Sequence, residues 1–142
     1  MNDQDQIQEK KQKRPQLLSI LCILTFIGSG VSALGFLMVA VNFETSMRML
    51  EVFYADMPEA SFMLQAPRDF FVVSFFLSAF SVLGAIFMWN LRKLGFHLYT
   101  LAQLIYLVVP LLYFGGDTNP LLNIVVTALF VYLYARNLPQ MR

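Results

Sequence analysis

Four long apolar runs limit what this chain can fold into. The first extends from Gln16 to Val41 without a charged side chain, and the others cover Phe70 to Leu91, Phe96 to Phe114 and Leu121 to Leu138. A helix of about 20 apolar residues crosses the hydrocarbon core of a bilayer, and a helix satisfies its own backbone hydrogen bonds there. The sequence therefore predicts an all-α fold, an integral membrane four-helix bundle.

One membrane domain is expected over residues 15–142, with helices at about 16–41, 68–91, 95–114 and 120–138. Residues 1–14 are polar and rich in glutamine, and such a composition cannot bury a core, so we expect a short disordered tail there. Pro15 is well placed as the first residue of a helix.

A cleaved signal peptide is the alternative for the first run. Lys10 to Arg14 form a positive segment, and Val31-Ser32-Ala33 resembles a small-residue cleavage site. The apolar residues continue through Val39 without a polar segment, which favours a retained membrane helix.

The positive charges predict the orientation of the chain. With both termini in the cytoplasm, eight basic residues lie inside and two outside, which agrees with the excess of basic residues in cytoplasmic loops. The inner residues are Lys10, Lys11, Lys13, Arg14, Arg92, Lys93, Arg136 and Arg142, and the outer ones are Arg48 and Arg68. We therefore expect a multi-pass protein of the inner (plasma) membrane with both termini cytoplasmic.

The outer loop of residues 42–67 carries an amphipathic pattern. Phe43, Met47 and Leu50 recur at helical spacing, so we expect a short helix capped by Asn42 that lies on the bilayer or over the bundle. Asp56 to Glu59 read as the start of a second short helix, which Pro67 would end.

Small side chains form stripes on the first two predicted spans. In lipid, close approach of helices depends on such residues, so these stripes predict packing surfaces that meet. Their members are Thr25, Gly28, Ser29, Ser32 and Gly35 on the first span and Ser74, Ser78, Ser81 and Ala85 on the second. A lining for a small ligand or for a partner's helix is the alternative.

The last two spans carry a polar intramembrane face. Its members are Tyr99, Gln103, Tyr106, Asn123, Thr127 and Tyr134. Buried amides in hydrocarbon need partners, so we expect an interhelical hydrogen bond from Gln103 to Thr127 or Tyr134. The alternative is a polar cavity for a small molecule or a lipid headgroup, with Pro110 interrupting the helix nearby.

Several classes of function are disfavoured. The basic residues are dispersed, so we expect no nucleic-acid partner. No Asp, Glu, Lys or Arg lies in the middle of a span, which argues against proton-coupled transport. Cys22 is the one cysteine, so no redox pair can form within the chain, and no phosphate-binding or hydrolase motif is present. We expect no catalytic residues, metal or cofactor.

His97 lies one turn beyond Arg92 and Lys93, and these three residues are expected at the cytoplasmic interface of the membrane. Interfacial anchoring is the expected role of His97. A cofactor held between protomers, or contact of the three side chains with anionic lipid, is the alternative.

The outline of four spans, cytoplasmic termini and a longer first outer loop resembles that of many small bacterial inner-membrane proteins, including the DoxX-like group. The resemblance is one of architecture and implies no activity. Two other four-span groups fit poorly, because the quinone-reducing group needs a CxxC pair and the small multidrug transporters need a membrane-embedded glutamate.

Three functions remain as expectations. The first is a non-catalytic accessory or assembly subunit, surrounded by membrane lipid and forming a homo-oligomer or part of a larger membrane complex. The second is a small-molecule or lipid-binding transporter that uses the polar face, in which Gln103→Leu and Asn123→Leu would abolish uptake. The third is a cofactor-bearing membrane enzyme subunit centred on His97.

Overall fold

All regular structure in the described residues is helical, which confirms the all-α prediction. The computed structural model describes residues 14–117 and 120–142. The α-helices are α1 (Gln16–Val41), α2 (Phe43–Tyr54), α3 (Arg68–Trp89), α4 (Lys93–Phe114) and α5 (Leu121–Arg136). Short 3-10 helices cover Pro58–Gln65, Gly115–Asp117 and Leu138–Gln140. The tail predicted as disordered lies outside the described residues, apart from Arg14.

In the part of the chain that the structure describes, α1, α3 and α4 are long and apolar enough to cross a membrane. These three helices indicate a membrane protein. Helix α5 is apolar but has 16 residues, which at 1.5 Å per residue gives about 24 Å, somewhat less than the hydrocarbon thickness.

The turn between α3 and α4 has the expected three residues but lies two positions earlier in the chain than predicted. Helix α3 ends at Trp89, and α4 begins at Lys93. The Arg92 and Leu91 N–H groups donate to the Phe87 and Met88 carbonyls, both at 2.9 Å. This pattern closes a helix when one residue adopts a left-handed conformation, and Leu91 does so with a φ of 59°.

Three parts of the chain meet at this turn. The Lys93 N–H donates to the Arg142 carbonyl at 2.9 Å, and the Arg142 N–H donates to the Leu91 carbonyl at 2.6 Å. The Arg14 guanidinium lies 3.8 Å from the centre of the Trp89 ring. We call this end of the bundle, formed by residues 14–18, 88–97 and 134–142, the tight-turn end.

The opposite end, which we call the loop end, is formed by residues 36–71 and 106–117. The Arg68 Nε donates to the Ala40 carbonyl at 2.7 Å and joins the start of α3 to the end of α1. Phe43 and Met47 of α2 pack against the cluster around Phe70 and Phe71. The second segment, predicted as a helix, forms the 3-10 helix Pro58–Gln65, a form typical of short pieces.

Helix α3 lies at the centre, with α1 and α4 packed along it. Its buried residues include the predicted packing residues Ser74, Ser78 and Ser81. Helix α5 is attached differently, because Tyr134 near its end is its one buried residue among those described.

Most of the small residues predicted on α1 lie beside its contact surface, whereas Thr25 is buried. Gly28, Ser32 and Gly35 are exposed, and a Cβ placed at either glycine would have no atom within 4 Å. Helix α1 instead packs through Leu18, Cys22 and other neighbours on the adjacent face. The face of α1 that is buried in the bundle carries Leu18, Leu21, Cys22, Thr25 and Ala40.

The close backbone approach is between α3 and α4, at Gly84 and Gly95. A Cβ at Gly95 would lie 2.6 Å from the Met88 nitrogen and 2.8 Å from the Phe87 Cβ. A Cβ at Gly84 would lie 2.9 Å from both the Gly95 carbonyl oxygen and the Tyr99 Cβ. Only glycine fits at these two positions, because the obstructing atoms are largely backbone.

Gly95→Ala should therefore separate α3 from α4 and lower the free energy of unfolding. Overpacking of this kind costs about 1–3 kcal/mol. Thermal unfolding of the purified protein in mild detergent measures the effect. Gly28→Ala is the matched control, because the added methyl meets open space and improves helix propensity. Equal melting temperatures for both variants would contradict the assignment of Gly95 to a close contact between α3 and α4.

Candidate functional site

A cleft of about 210 Å³ opens between α1, α3, α4 and α5. Most of the side chains that line it are polar and none is charged. The lining residues are Leu24, Thr25, Gly28, Ser29, Ser32, Ser78, Ser81, Tyr99, Gln103, Tyr106, Val126, Thr127 and Phe130. Its volume corresponds to that of about seven water molecules in the liquid. We call it the polar cleft.

The cleft exists because α5 stands away from the other helices. Tight packing of α4 on α3 leaves α5 no central position, and its first residues, from Leu121 to Val126, are exposed. Its end is held by Tyr134, which is fully buried in the cluster with Leu18 and Met88. Helix α5 thus forms one wall of the cleft while being anchored at the tight-turn end.

Gln103 forms part of the opposite wall. Its Nε2 donates to the Ser81 Oγ at 3.2 Å. The expected bond to Thr127 or Tyr134 is absent from the described contacts of Gln103, because the Gly84–Gly95 approach brings α4 nearer to α3 than to α5. Thr127 lies across the same cleft. The Gln103 carboxamide is thus oriented by α3 along the wall of the cavity.

A cluster of buried side chains, formed by Cys22, Thr25, Tyr99 and Tyr134, closes the cleft towards the tight-turn end. The hydroxyls of Thr25 and Tyr134 share a hydrogen bond of 2.7 Å. The Tyr99 and Tyr134 rings make an edge-to-face contact with centroids 5.0 Å apart. The Cys22 thiol donates to the Ala85 carbonyl at 3.7 Å. A hydrogen bond of this kind between membrane helices contributes roughly 0.6–2 kcal/mol.

The predicted polar face is divided by the structure. The residues that line the cleft are Tyr99, Gln103, Tyr106 and Thr127. Tyr134 does not line it but is hydrogen-bonded to Thr25, which does. Asn123 does not line the cleft and is exposed on α5. It lies in the half of α5 that stands away from the other helices.

The predicted packing residues also reach the cleft. Gly28, Ser32, Ser78 and Ser81 belong to its lining, whereas Ser74 is buried nearer the loop end. Gly35 and Ser32 border a second, apolar cavity of about 200 Å³ beneath α2. The two cavities share Ser32 and therefore adjoin along the exposed side of α1.

Thr25 and Ser29 belong to the predicted small-residue stripe of α1, whereas sequence reasoning missed Gly84 and Gly95. Thr25 and Ser29 lie one turn apart on α1 and contribute hydroxyls to the cleft. Gly84 precedes Ala85 and extends the serine stripe of α3 by one turn, which is the signal that could have identified the close approach to α4.

Arg92, Lys93 and His97 lie at the tight-turn end, outside the cleft, and all three are exposed. The described contact of His97 is with the neighbouring Phe96 ring, with centroids 5.7 Å apart. Within residues 14–117 and 120–142, no group of three or more His, Cys, Asp or Glu residues could hold a metal ion.

Comparisons with protein-family models, curated proteins and solved structures found no match to this chain.

Proposed function

We propose that this protein is a non-catalytic membrane protein that binds a small, uncharged, polar molecule in the polar cleft and passes it through or along the bilayer. The observation that carries this proposal is a cavity with hydroxyl, phenol and carboxamide groups from four helices, enclosed by apolar spans. Polar groups in hydrocarbon are costly unless they find partners. A polar ligand or water would supply those partners.

The lining favours a neutral ligand. None of the side chains that line the cleft carries a charge, so a charged solute would have no counterion at this depth. Gln103 supplies both a donor and an acceptor, and its bond to Ser81 fixes the plane of the carboxamide. The hydroxyls of Tyr106 and Thr127 can each donate or accept. A small alcohol, amide or diol matches this set of groups.

We further propose four membrane crossings, with both termini in the cytoplasm of a cell whose inner membrane holds the protein. The bonds between Arg142 and the residues Leu91 and Lys93 support this topology, because α5 returns to the end of the bundle where α3 ends. The distribution of basic residues supports the orientation. The short α5 can be accommodated by local thinning of the bilayer.

This topology predicts which substituted cysteines react with a membrane-impermeant thiol reagent. In a Cys22→Ala background, Met57→Cys should be labelled on intact cells, whereas Lys93→Cys and Gln140→Cys should be labelled only after permeabilisation. Met57, Lys93 and Gln140 are exposed in the structure. Labelling of Gln140→Cys but not of Lys93→Cys on intact cells would indicate three crossings and contradict the proposal.

Binding in the cleft predicts a small adduct on the protein. Native mass measurement after mild extraction from host membranes should show a bound molecule, and Gln103→Leu with Thr127→Val should remove it. Asn123→Leu is the matched control, since Asn123 is an exposed polar residue of α5 outside the cleft. Loss of the adduct in both variants, or its persistence in the double variant, would contradict the proposal.

An accessory or assembly subunit is the second candidate function. It is favoured by the open surface of α1 at Gly28, Ser32 and Gly35, where small residues would let another membrane helix approach closely. The same native mass measurement separates the two functions. A second copy or a partner subunit, lost on Gly35→Leu and retained on Gln103→Leu, supports the accessory role. A monomer without a partner counts against it.

A further inference from the structure

The exposed cations of the described chain are strongly segregated. Six basic or imidazole side chains lie at the tight-turn end, and all six are exposed. They are Arg14, Arg92, Lys93, His97, Arg136 and Arg142. From residue 14 onwards, every Asp and Glu of the sequence belongs to a loop-end segment, between residues 43 and 69 or at residue 117. Among the described residues, the tight-turn end thus carries basic side chains without a neighbouring Asp or Glu.

Backbone contacts bring these cations together. Arg142 is hydrogen-bonded through its N–H and carbonyl to Leu91 and Lys93, so its side chain starts beside those of Arg92 and Lys93. His97 lies one helical turn beyond Lys93 on α4. The cluster is therefore formed by residues from two separate parts of the chain, held in register by the two bonds of Arg142.

Two features beside the cluster are typical of headgroup depth. Trp89 is adjacent, and tryptophan is enriched where the hydrocarbon meets the polar region of a bilayer. The Arg14 guanidinium lies over the Trp89 ring, and Leu94, which is 60% exposed, follows Lys93 directly. An apolar side chain next to several cations matches a molecule that has both a phosphate and acyl chains.

We propose that the tight-turn end binds the phosphate of anionic phospholipids through Arg92, Lys93, His97 and Arg142. In a basic cluster beside a membrane helix, each cation increases the affinity for anionic lipid about fivefold. Arginine can hold a phosphate with two parallel hydrogen bonds, and lysine adds a point charge. This inference does not depend on the polar cleft, which lies deeper and is uncharged.

Lipid titration of the purified full-length protein tests the proposal. The protein in a neutral detergent is titrated with phosphatidylglycerol or phosphatidylcholine, and bound lipid is counted by native mass measurement. Wild type should retain phosphatidylglycerol preferentially. Arg92→Gln with Lys93→Gln should weaken its retention by roughly 25-fold, while Arg92→Lys should retain most of it.

Arg48→Gln is the matched control, because Arg48 is an exposed cation of the loop end and its loss should leave lipid retention unchanged. Equal retention of the two lipids by wild type would overturn the proposal, even if the double variant failed to fold. A loss of phosphatidylglycerol retention in Arg48→Gln as large as that in the double variant would also overturn the proposal. Displacement of phosphatidylglycerol by millimolar inorganic phosphate would identify a soluble phosphate as the ligand and also overturn it.

Discussion

The close contact of α3 and α4 at Gly84 and Gly95 determines the arrangement of the other helices. Because the two backbones meet there, α4 lies against α3 along its length and Gln103 reaches Ser81. Helix α1 occupies the other side of α3, so α5 is left to one side, anchored by Tyr134 near its end. The polar cleft is the space that this arrangement leaves between α1, α3, α4 and α5.

The polar lining of the cleft is important because hydrocarbon surrounds it. In water, a cavity lined by serine and threonine would be solvated without consequence, whereas within a bilayer its hydroxyls have only each other, a ligand or trapped water as partners. The bundle satisfies some of them, as in the bond between Thr25 and Tyr134. The groups of Gln103 and Thr127 that border the cleft remain available for an occupant, and the proposed function follows from them.

The helical fold could be predicted from the sequence because long uncharged runs are a strong local signal. The arrangement of the helices could not. The stripe of Gly28, Ser32 and Gly35 has the composition of a packing surface, but whether a surface packs depends also on the helix that faces it. A neighbouring face of α1, which carries Leu18 and Cys22, is the one that is buried. For the same reason Gln103 was expected to reach α5, and Asn123 was included in the polar face although α5 turns it outward.

The central claim is that the cleft is a polar, accessible space within the membrane region. A single cysteine at Thr127, in a Cys22→Ala background, tests it most directly, because methanethiosulfonate reagents react with the thiolate, which forms in a polar environment and not in hydrocarbon. Val125→Cys is the matched control, since Val125 is 58% exposed on α5 and does not line the cleft. In the reconstituted protein we expect Thr127→Cys to react at least about tenfold faster than Val125→Cys. Equally slow reaction at both positions would show that the cleft is filled by lipid and would contradict the account.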